Sequence, residues 1–448
     1  MSTEMKHANG ALDQTLGPVM LWGLGVGYVI SGMYFGWNLG LPEGGTLGLA
    51  IATLFITIMY VTFTFSYTEL ACAIPKAGGA FSYSDRALGK NWGFVGGMAQ
   101  LVEFVFAPPA IAFAIGAYFN EFFPELGITT IAIFAFLIFT LINILGVKIA
   151  ASFELFITIF AVLELLIFAG VTLPHFEFSN LTKNAFPNGV SGIFAAIPFA
   201  IWFFLAIEGV ANVAEETINP QRNVALGFGS AMITLVILCI ITFTSAVGVG
   251  GWEAVVYSAP GADASDNPLP LALGMIVGKN SWLYHLLITV GLFGLIASFH
   301  GIILVAGRAT FEFGRAGLFP KALGRAHPKF KTPMLALIAN MIVGIVALLT
   351  GKTGEIITIA CFGALSLYII SMISLLKLRK TEPNMERPYK TPLYPIFPIV
   401  ALVIATVAFV SMTIFNLNLA IIYFAIQAIA FGLYRLFAAK QPITQSTY

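Results

Sequence analysis

Charge is what this sequence has least of. Only 10% of its 448 residues are Asp, Glu, Lys or Arg, against about 25% in ordinary soluble domains. With 58% of residues hydrophobic, that shortage excludes a soluble enzyme, a disordered tail and a nucleic-acid binder. Net charge is +1, from 22 basic and 21 acidic residues, so total charge points to no polyanionic partner. The three cysteines, Cys72, Cys239 and Cys361, lie far apart inside apolar segments. Their spacing offers neither a disulfide framework nor a zinc site. There is no His-Glu-x-x-His motif and no phosphate-cradling Gly-Lys-Ser/Thr loop. No metal, cofactor or enzymatic activity is therefore expected. The first 17 residues are mostly polar, and the apolar run from Pro18 lacks a small-residue cleavage site. The first span is expected to be retained rather than removed as a signal peptide.

What the chain has is hydrocarbon, enough for roughly a dozen membrane helices at about 20 residues each. Apolar stretches between polar punctuation give twelve segments: 18–41, 46–75, 92–120, 127–146, 150–173, 191–217, 224–248, 282–308, 334–351, 354–376, 394–415 and 418–437. The longest outer connection, 249–281, is rich in Gly, Pro, Asp and Ser and should be irregular or locally helical. With a cytoplasmic N-terminus, 19 of the 22 basic residues fall on the inner side, leaving Lys183, Lys279 and Lys352 outside. That asymmetry satisfies the positive-inside rule and puts both termini in the cytoplasm.

Lysines and arginines are confined to loops and helix ends. The ionisable groups within the apolar segments are mainly acids, Glu103, Glu164 and Glu208, with His300; Glu69, Glu154 and His285 read as more peripheral. An intramembrane carboxylate costs several kcal/mol and normally lines a cavity or ion pathway. Three deep acids without a basic partner suit a cation or a transferable proton, not an anion. Two segments also interrupt their own helicity. Glycines crowd around Tyr28-Val29-Ile30-Ser31-Gly32 in the first, and Ala206-Ile207-Glu208-Gly209 places a charge and a glycine past the middle of the sixth. Close packing through small residues accounts for either one alone. Two interruptions five spans apart are the arrangement of inverted five-helix repeats around a midplane site.

Several motifs carry a resemblance. Tyr67-Thr68-Glu69-Leu70 precedes Ile74-Pro75-Lys76-Ala77-Gly78-Gly79-Ala80-Phe81, and Ala214-Glu215-Glu216-Thr217 precedes Asn219-Pro220-Gln221-Arg222-Asn223-Val224. Gly307-Arg308, Gly317-Leu318-Phe319-Pro320-Lys321, His327-Pro328-Lys329 and Thr332-Pro333 follow the eighth segment, and Arg387-Pro388-Tyr389-Lys390-Thr391-Pro392-Leu393-Tyr394-Pro395 precedes the eleventh. In this order the chain resembles the amino acid–polyamine–organocation transporters from end to end. Ile30-Ser31-Gly32-Met33-Tyr34-Phe35-Gly36-Trp37-Asn38 and Leu205-Ala206-Ile207-Glu208-Gly209-Val210-Ala211-Asn212-Val213-Ala214-Glu215-Glu216 resemble most the ethanolamine permeases of that superfamily. The resemblance implies an all-α membrane protein with twelve transmembrane helices and a LeuT-like 5+5 inverted repeat with helices 1 and 6 broken. Residues 1–448 would form one transport domain: repeat one at about 18–173, repeat two at about 191–376, and two extra helices at about 394–437. The implied function is import of ethanolamine or a similar small amine across the inner (plasma) membrane, by alternating access and linked to a proton or cation gradient.

Residue roles follow from the same match. Where relatives that take amino acids have Gly-Ser-Gly, whose free N–H groups cradle a carboxylate, this chain has Ile30-Ser31-Gly32. Isoleucine crowds the cradle, which suits an amino alcohol. Glu208, after the sixth-helix break at Ala206, and Glu103, on the third span, are candidates to bind the ammonium. Tyr28 and Trp202 are candidate aromatic lining, with Tyr34 and Phe204 near the breaks. Glu164 stands where several proton-coupled relatives carry a lysine, and with His300 it is a candidate for coupling. Pro108-Pro109 should kink the third span beyond Glu103. The competing reading is a proton-coupled amino acid permease of the same fold; a channel is disfavoured by the pair of breaks and the lack of a pore loop.

Overall fold

The computed structural model describes residues 14–76, 78–145 and 150–438. Ala77 and three of the basic residues used for orientation, Lys6, Lys148 and Lys440, lie outside them. The described chain is helical, with eighteen α-helices in order: α1 Pro18–Val29, α2 Ser31–Tyr34, α3 Leu41–Ala73, α4 Ala80–Leu88, α5 Lys90–Asn120, α6 Ile128–Leu145, α7 Ala150–Thr172, α8 Phe178–Thr182, α9 Gly189–Ala195, α10 Ile197–Trp202, α11 Pro220–Gly250, α12 Trp252–Val256, α13 Pro268–Val277, α14 Trp282–Arg315, α15 Met334–Leu348, α16 Thr353–Thr381, α17 Ile396–Phe415 and α18 Leu417–Ala438. Among the described residues nine helical stretches are long and apolar enough to cross a bilayer, and α1, α13 and α15 are shorter apolar helices. This is a multi-pass membrane protein. The connection over 249–281 is locally helical, as its composition suggested, and holds α12 and α13.

Burial sorts the helices into an interior and a lipid-facing shell. The apolar window of α5 is 94% buried, with α16 at 83% and α14 at 78%; α17 and α18 bury only 33% and 22%. The most extensive helix contact is α5 against α16. Gly363 permits it: a Cβ there would lie 2.6 Å from the Ala99 carbonyl oxygen and 2.7 Å from the Glu103 nitrogen. The helix α5 runs unbroken through Pro108 and Pro109. Those prolines supply no N–H to the carbonyls of Phe104 and Val105, one turn earlier, but the helical path continues.

Both sequence interruptions are breaks in helix; the first begins at Ile30, between α1 and α2 and within the stretch the glycines mark, and runs on beyond it. After α1, Ile30 keeps helical angles and its N–H donates to the Val26 carbonyl at 2.8 Å. The chain leaves helix at Phe35, which is extended, and at Gly36, whose φ is +87°. The sixth segment is divided more thoroughly. It comprises α9, α10, a turn over residues 203–206, and a 3-10 helix, Ile207–Glu216. Tight i→i+3 helix of that length is uncommon and tends to mark a functional or strained stretch.

Glu69, read as more peripheral, lies near the end of α3 and is nevertheless only 1% exposed. Its carboxylate pairs with Arg379 at 2.7 Å and Arg387 at 3.2 Å, and accepts from the Thr391 N–H and hydroxyl at 2.8 Å each. The segment joining α16 to α17 folds back over the end of α3 and encloses it. Removing one partner of a buried ion network leaves uncompensated charge, at a cost of about 3–5 kcal/mol. Glu69→Ala is therefore expected to unfold at markedly lower temperature than wild type in detergent; an unchanged midpoint would show that the network contributes nothing.

Candidate functional site

The two breaks meet in the interior. Gly32 lies directly against the carbonyl of Trp202 and the Cα of Phe203, and Gly36 against the indole of Trp202. Any side chain at either glycine would collide with the sixth segment, so both must stay bare for the segments to touch. The Trp202 ring also packs edge-on to Phe35, 5.3 Å between centroids. Trp202 thus fills the gap opened by the first break.

Beyond Trp202 the turn ends at Ala206, a non-glycine residue with φ +74°. Left-handed backbone costs an L-residue about 1–2 kcal/mol, so something must hold it there. Glu103 of α5 supplies the restraint: its Oε1 accepts the Ala206 N–H at 3.1 Å. Two residues on, the Glu208 carboxyl faces that of Glu103 within hydrogen-bonding reach. Both residues are 0% exposed. Glu208 Oε2 accepts from the Tyr368 hydroxyl of α16 at 3.0 Å, and Tyr368 shares a 3.1 Å hydrogen bond with the Tyr60 hydroxyl of α3. Glu103 Oε2 and Glu208 Oε1 have no donor. Among the described residues neither acid forms an ion pair with a lysine or arginine. Two carboxylates in contact repel strongly in a buried site, and a proton or an incoming cation removes the repulsion.

Tyr60 and Tyr368 were not among the sequence candidates. Tyrosines scattered through apolar helices are ordinary packing residues, and the pairing joins positions 308 apart in sequence. Nothing local marks either one.

The other candidates fall around this centre. Tyr28 is buried, its ring held between Gly209 and Gly301, and its carbonyl accepts from Ser298 Oγ at 2.5 Å. The Ser31 N–H points at the same Ser298 Oγ, at 3.4 Å. Ile30 is wholly buried. Two of the three N–H groups read as a potential cradle are therefore occupied, Ile30 by Val26 and Ser31 by Ser298.

Glu164 does not join the Glu103–Glu208 pair. It lies beside the Tyr34 hydroxyl of α2, which donates to the Ala161 carbonyl at 3.0 Å. Tyr118 closes this corner by donating to the Tyr34 carbonyl at 3.0 Å. His300 Nδ1 lies 3.7 Å from Glu154 Oε2, with side chains 7% and 2% exposed. Glu154, near the start of its helix, is thus a further buried acid. His285 is exposed, as read.

A bundle of membrane helices with two interrupted segments around paired acids defines a solute carrier. The chain belongs to the amino acid permease family, whose sequence profile matches residues 16–431. It is a transporter and not an enzyme. An uncharacterized transporter of Rhizobium meliloti is 26% identical over 80% of this chain and 77% of its own length. The branched-chain amino acid permease BcaP of Bacillus subtilis is 24% identical over 82% and 79%, and the low-affinity putrescine importer PlaP of Escherichia coli 26% over 78% and 77%.

A Tyr368→Phe substitution removes the one hydroxyl donor to Glu208 and keeps the ring. A hydrogen bond to a charged group contributes about 1.5–3 kcal/mol, so transport efficiency is expected to fall about tenfold or more. Uptake kinetics at matched membrane abundance check this; wild-type efficiency would detach Tyr368 from the site.

Proposed function

We propose that the protein is a secondary active transporter importing ethanolamine or a similar small primary amine by alternating access. The observation that carries this reading is the Glu103–Glu208 carboxyl pair, set against the left-handed turn at Ala206 and lacking a basic partner among the described residues. An ammonium supplies what the pair lacks: it donates to both unpartnered oxygens and neutralises the repulsion. Peptide carbonyls of the unwound turn at Phe203–Ala206 add acceptors of the kind that broken helices offer to cations. Tyr60, Phe204 and Tyr368 bring aromatic faces to the same place. Such faces attract ammonium groups by about 0.5–2 kcal/mol.

The substrate's other end is read from the first break. With the N–H groups of Ile30 and Ser31 occupied, that end suits a hydroxyl better than a carboxylate. The putrescine importer among the relatives is named for an amine without a carboxylate, in keeping with this reading. The branched-chain permease favours the second one, a proton-coupled amino acid permease of the same fold.

The remaining architecture belongs to the same proposal. The twelve segments form a LeuT-like pair of inverted repeats, about 18–173 and 191–376, followed by two helices. Both termini face the cytoplasm from the inner (plasma) membrane. Transport is coupled to a proton or cation gradient, with Glu164 and His300 as the titratable candidates.

In proteoliposomes the protein is expected to accumulate labelled ethanolamine, and Glu103→Gln or Glu208→Gln to cut uptake at least about tenfold, in line with a lost charge-assisted contact. If unlabelled alanine or glycine competes far better than ethanolamine, the amino acid reading replaces this one. Glu164→Gln is expected to abolish gradient-driven accumulation while sparing some exchange. A Glu164→Gln protein that concentrates substrate as wild type does removes that residue from coupling.

A further inference from the structure

One more cluster of buried ionisable groups stands apart from the carboxyl pair. Glu154 of α7 and His300 of α14 face each other at 3.7 Å. Among the described residues both carboxylate oxygens of Glu154 and Nδ1 of His300 lack a hydrogen-bond partner, as does the nearby Tyr28 hydroxyl. Buried polar atoms left unpaired cost about 1–3 kcal/mol each, so several at one point call for a ligand that bridges them. The spacing is longer than the roughly 2.7–3.2 Å of a hydrogen bond yet within ion-pair reach. A small rotation of either side chain closes it once a proton lies between them.

The backbone is shaped to admit the acid. A Cβ on Gly27 of α1 would sit 2.5 Å from Glu154 Oε1, and one on Gly301 of α14 3.3 Å from it. The groups facing the pair are few. Tyr28 comes from α1, Thr158 lies one turn along α7, and the Asn143 amide of α6 donates to the His300 carbonyl at 3.4 Å. The Arg308–Glu216 ion pair, 2.7 Å, acts on Tyr28 rather than on Glu154. Among the described residues no charged side chain of α11 or α13 pairs with Glu154.

We propose that Glu154 and His300 together bind one proton, forming a cation site distinct from the carboxyl pair that receives the substrate amine. This deepens the transport reading above and rests on it for the proton's role in coupling. The step is a simple protonation. The proton enters between Oε2 and Nδ1, one heavy atom holding it covalently and the other accepting, and leaves by the reverse path. Its effect has a route to the substrate. Ser298, two residues before His300, bonds the Tyr28 carbonyl, and the Tyr28 ring packs on Gly209 beside Glu208. A change in the Glu154–His300 spacing shifts α14 against α1 and so bears on the unwound turn.

Infrared difference spectra of the purified full-length protein, titrated without substrate from about pH 4 to 9, test the site directly. Wild type is expected to show a protonated-carboxyl band whose titration step vanishes in Glu154→Gln and whose midpoint moves by about one pH unit in His300→Gln. Identical steps in all three proteins overturn the proposal. If Glu154→Gln does not yield monodisperse protein, the His300→Gln midpoint decides. In proteoliposomes Glu154→Gln is expected to lose about tenfold of its pH-gradient-driven ethanolamine accumulation, the size of an ordinary coupling energy. A wild type that shows the infrared step yet transports no ethanolamine sinks the substrate reading and keeps the proton site. Transport by wild type with no Glu154-dependent step sinks the proton site and keeps the substrate reading.

Discussion

Two carboxyl groups facing one another inside a membrane protein, with no lysine or arginine paired to them among the described residues, are the constraint around which this interior is organised. Glu103 holds the Ala206 N–H and so fixes a backbone turn that alanine would otherwise avoid. The turn brings Glu208 round to meet Glu103, and two tyrosine hydroxyls in series satisfy one of its oxygens. The first segment gives way in turn, since Gly32 and Gly36 must lie bare against Trp202 for the two breaks to touch. Each of these local departures from regular helix leads back to the same pair of acids.

Glu69 shows what a structural acid looks like under the same burial. Two arginines pair with its charge and Thr391 donates to it twice, and the result is a joint between α3 and the segment leading to α17. Glu103 and Glu208 are as deeply buried, but among the described residues neither pairs with an arginine or lysine. Burial therefore does not separate the two roles in this chain, whereas pairing with a basic side chain does. By that standard Glu164, beside the Tyr34 hydroxyl, groups with Glu103 and Glu208, and Glu154, which faces His300, stands between.

The membrane class, the family and the presence of two interruptions could be read from the chain because each depends on local pattern. Apolar length sets the helices, and glycine beside a charge marks an unwound turn. The meeting of Glu103 with Glu208 could be suspected but not seen, because it joins residues 105 apart through packing. The partners of Glu69 and Glu154 were hidden for the same reason. What covers Glu69 is a stretch more than 300 positions later, and what faces Glu154 is a histidine on another helix. The first break runs further than its sequence suggests. Ile30, between α1 and α2, keeps helical angles and donates to the Val26 carbonyl, so the full departure from helix comes at Phe35 and Gly36. Tyr60 and Tyr368 carried no signal at all, being two tyrosines among 14.

The central claim is that the paired acids select a positive nitrogen, and equilibrium binding to the purified protein measures it most directly. Ethanolamine and its N-acetyl derivative share a hydroxyl and a two-carbon spacer but differ in charge. Calorimetric titration is expected to show ethanolamine binding and the neutral derivative failing to bind at about a hundredfold higher concentration, as loss of a desolvated charge pair demands. The Glu103→Gln/Glu208→Gln double variant should lose the preference. Equal binding of the two compounds by the wild-type protein would contradict the account.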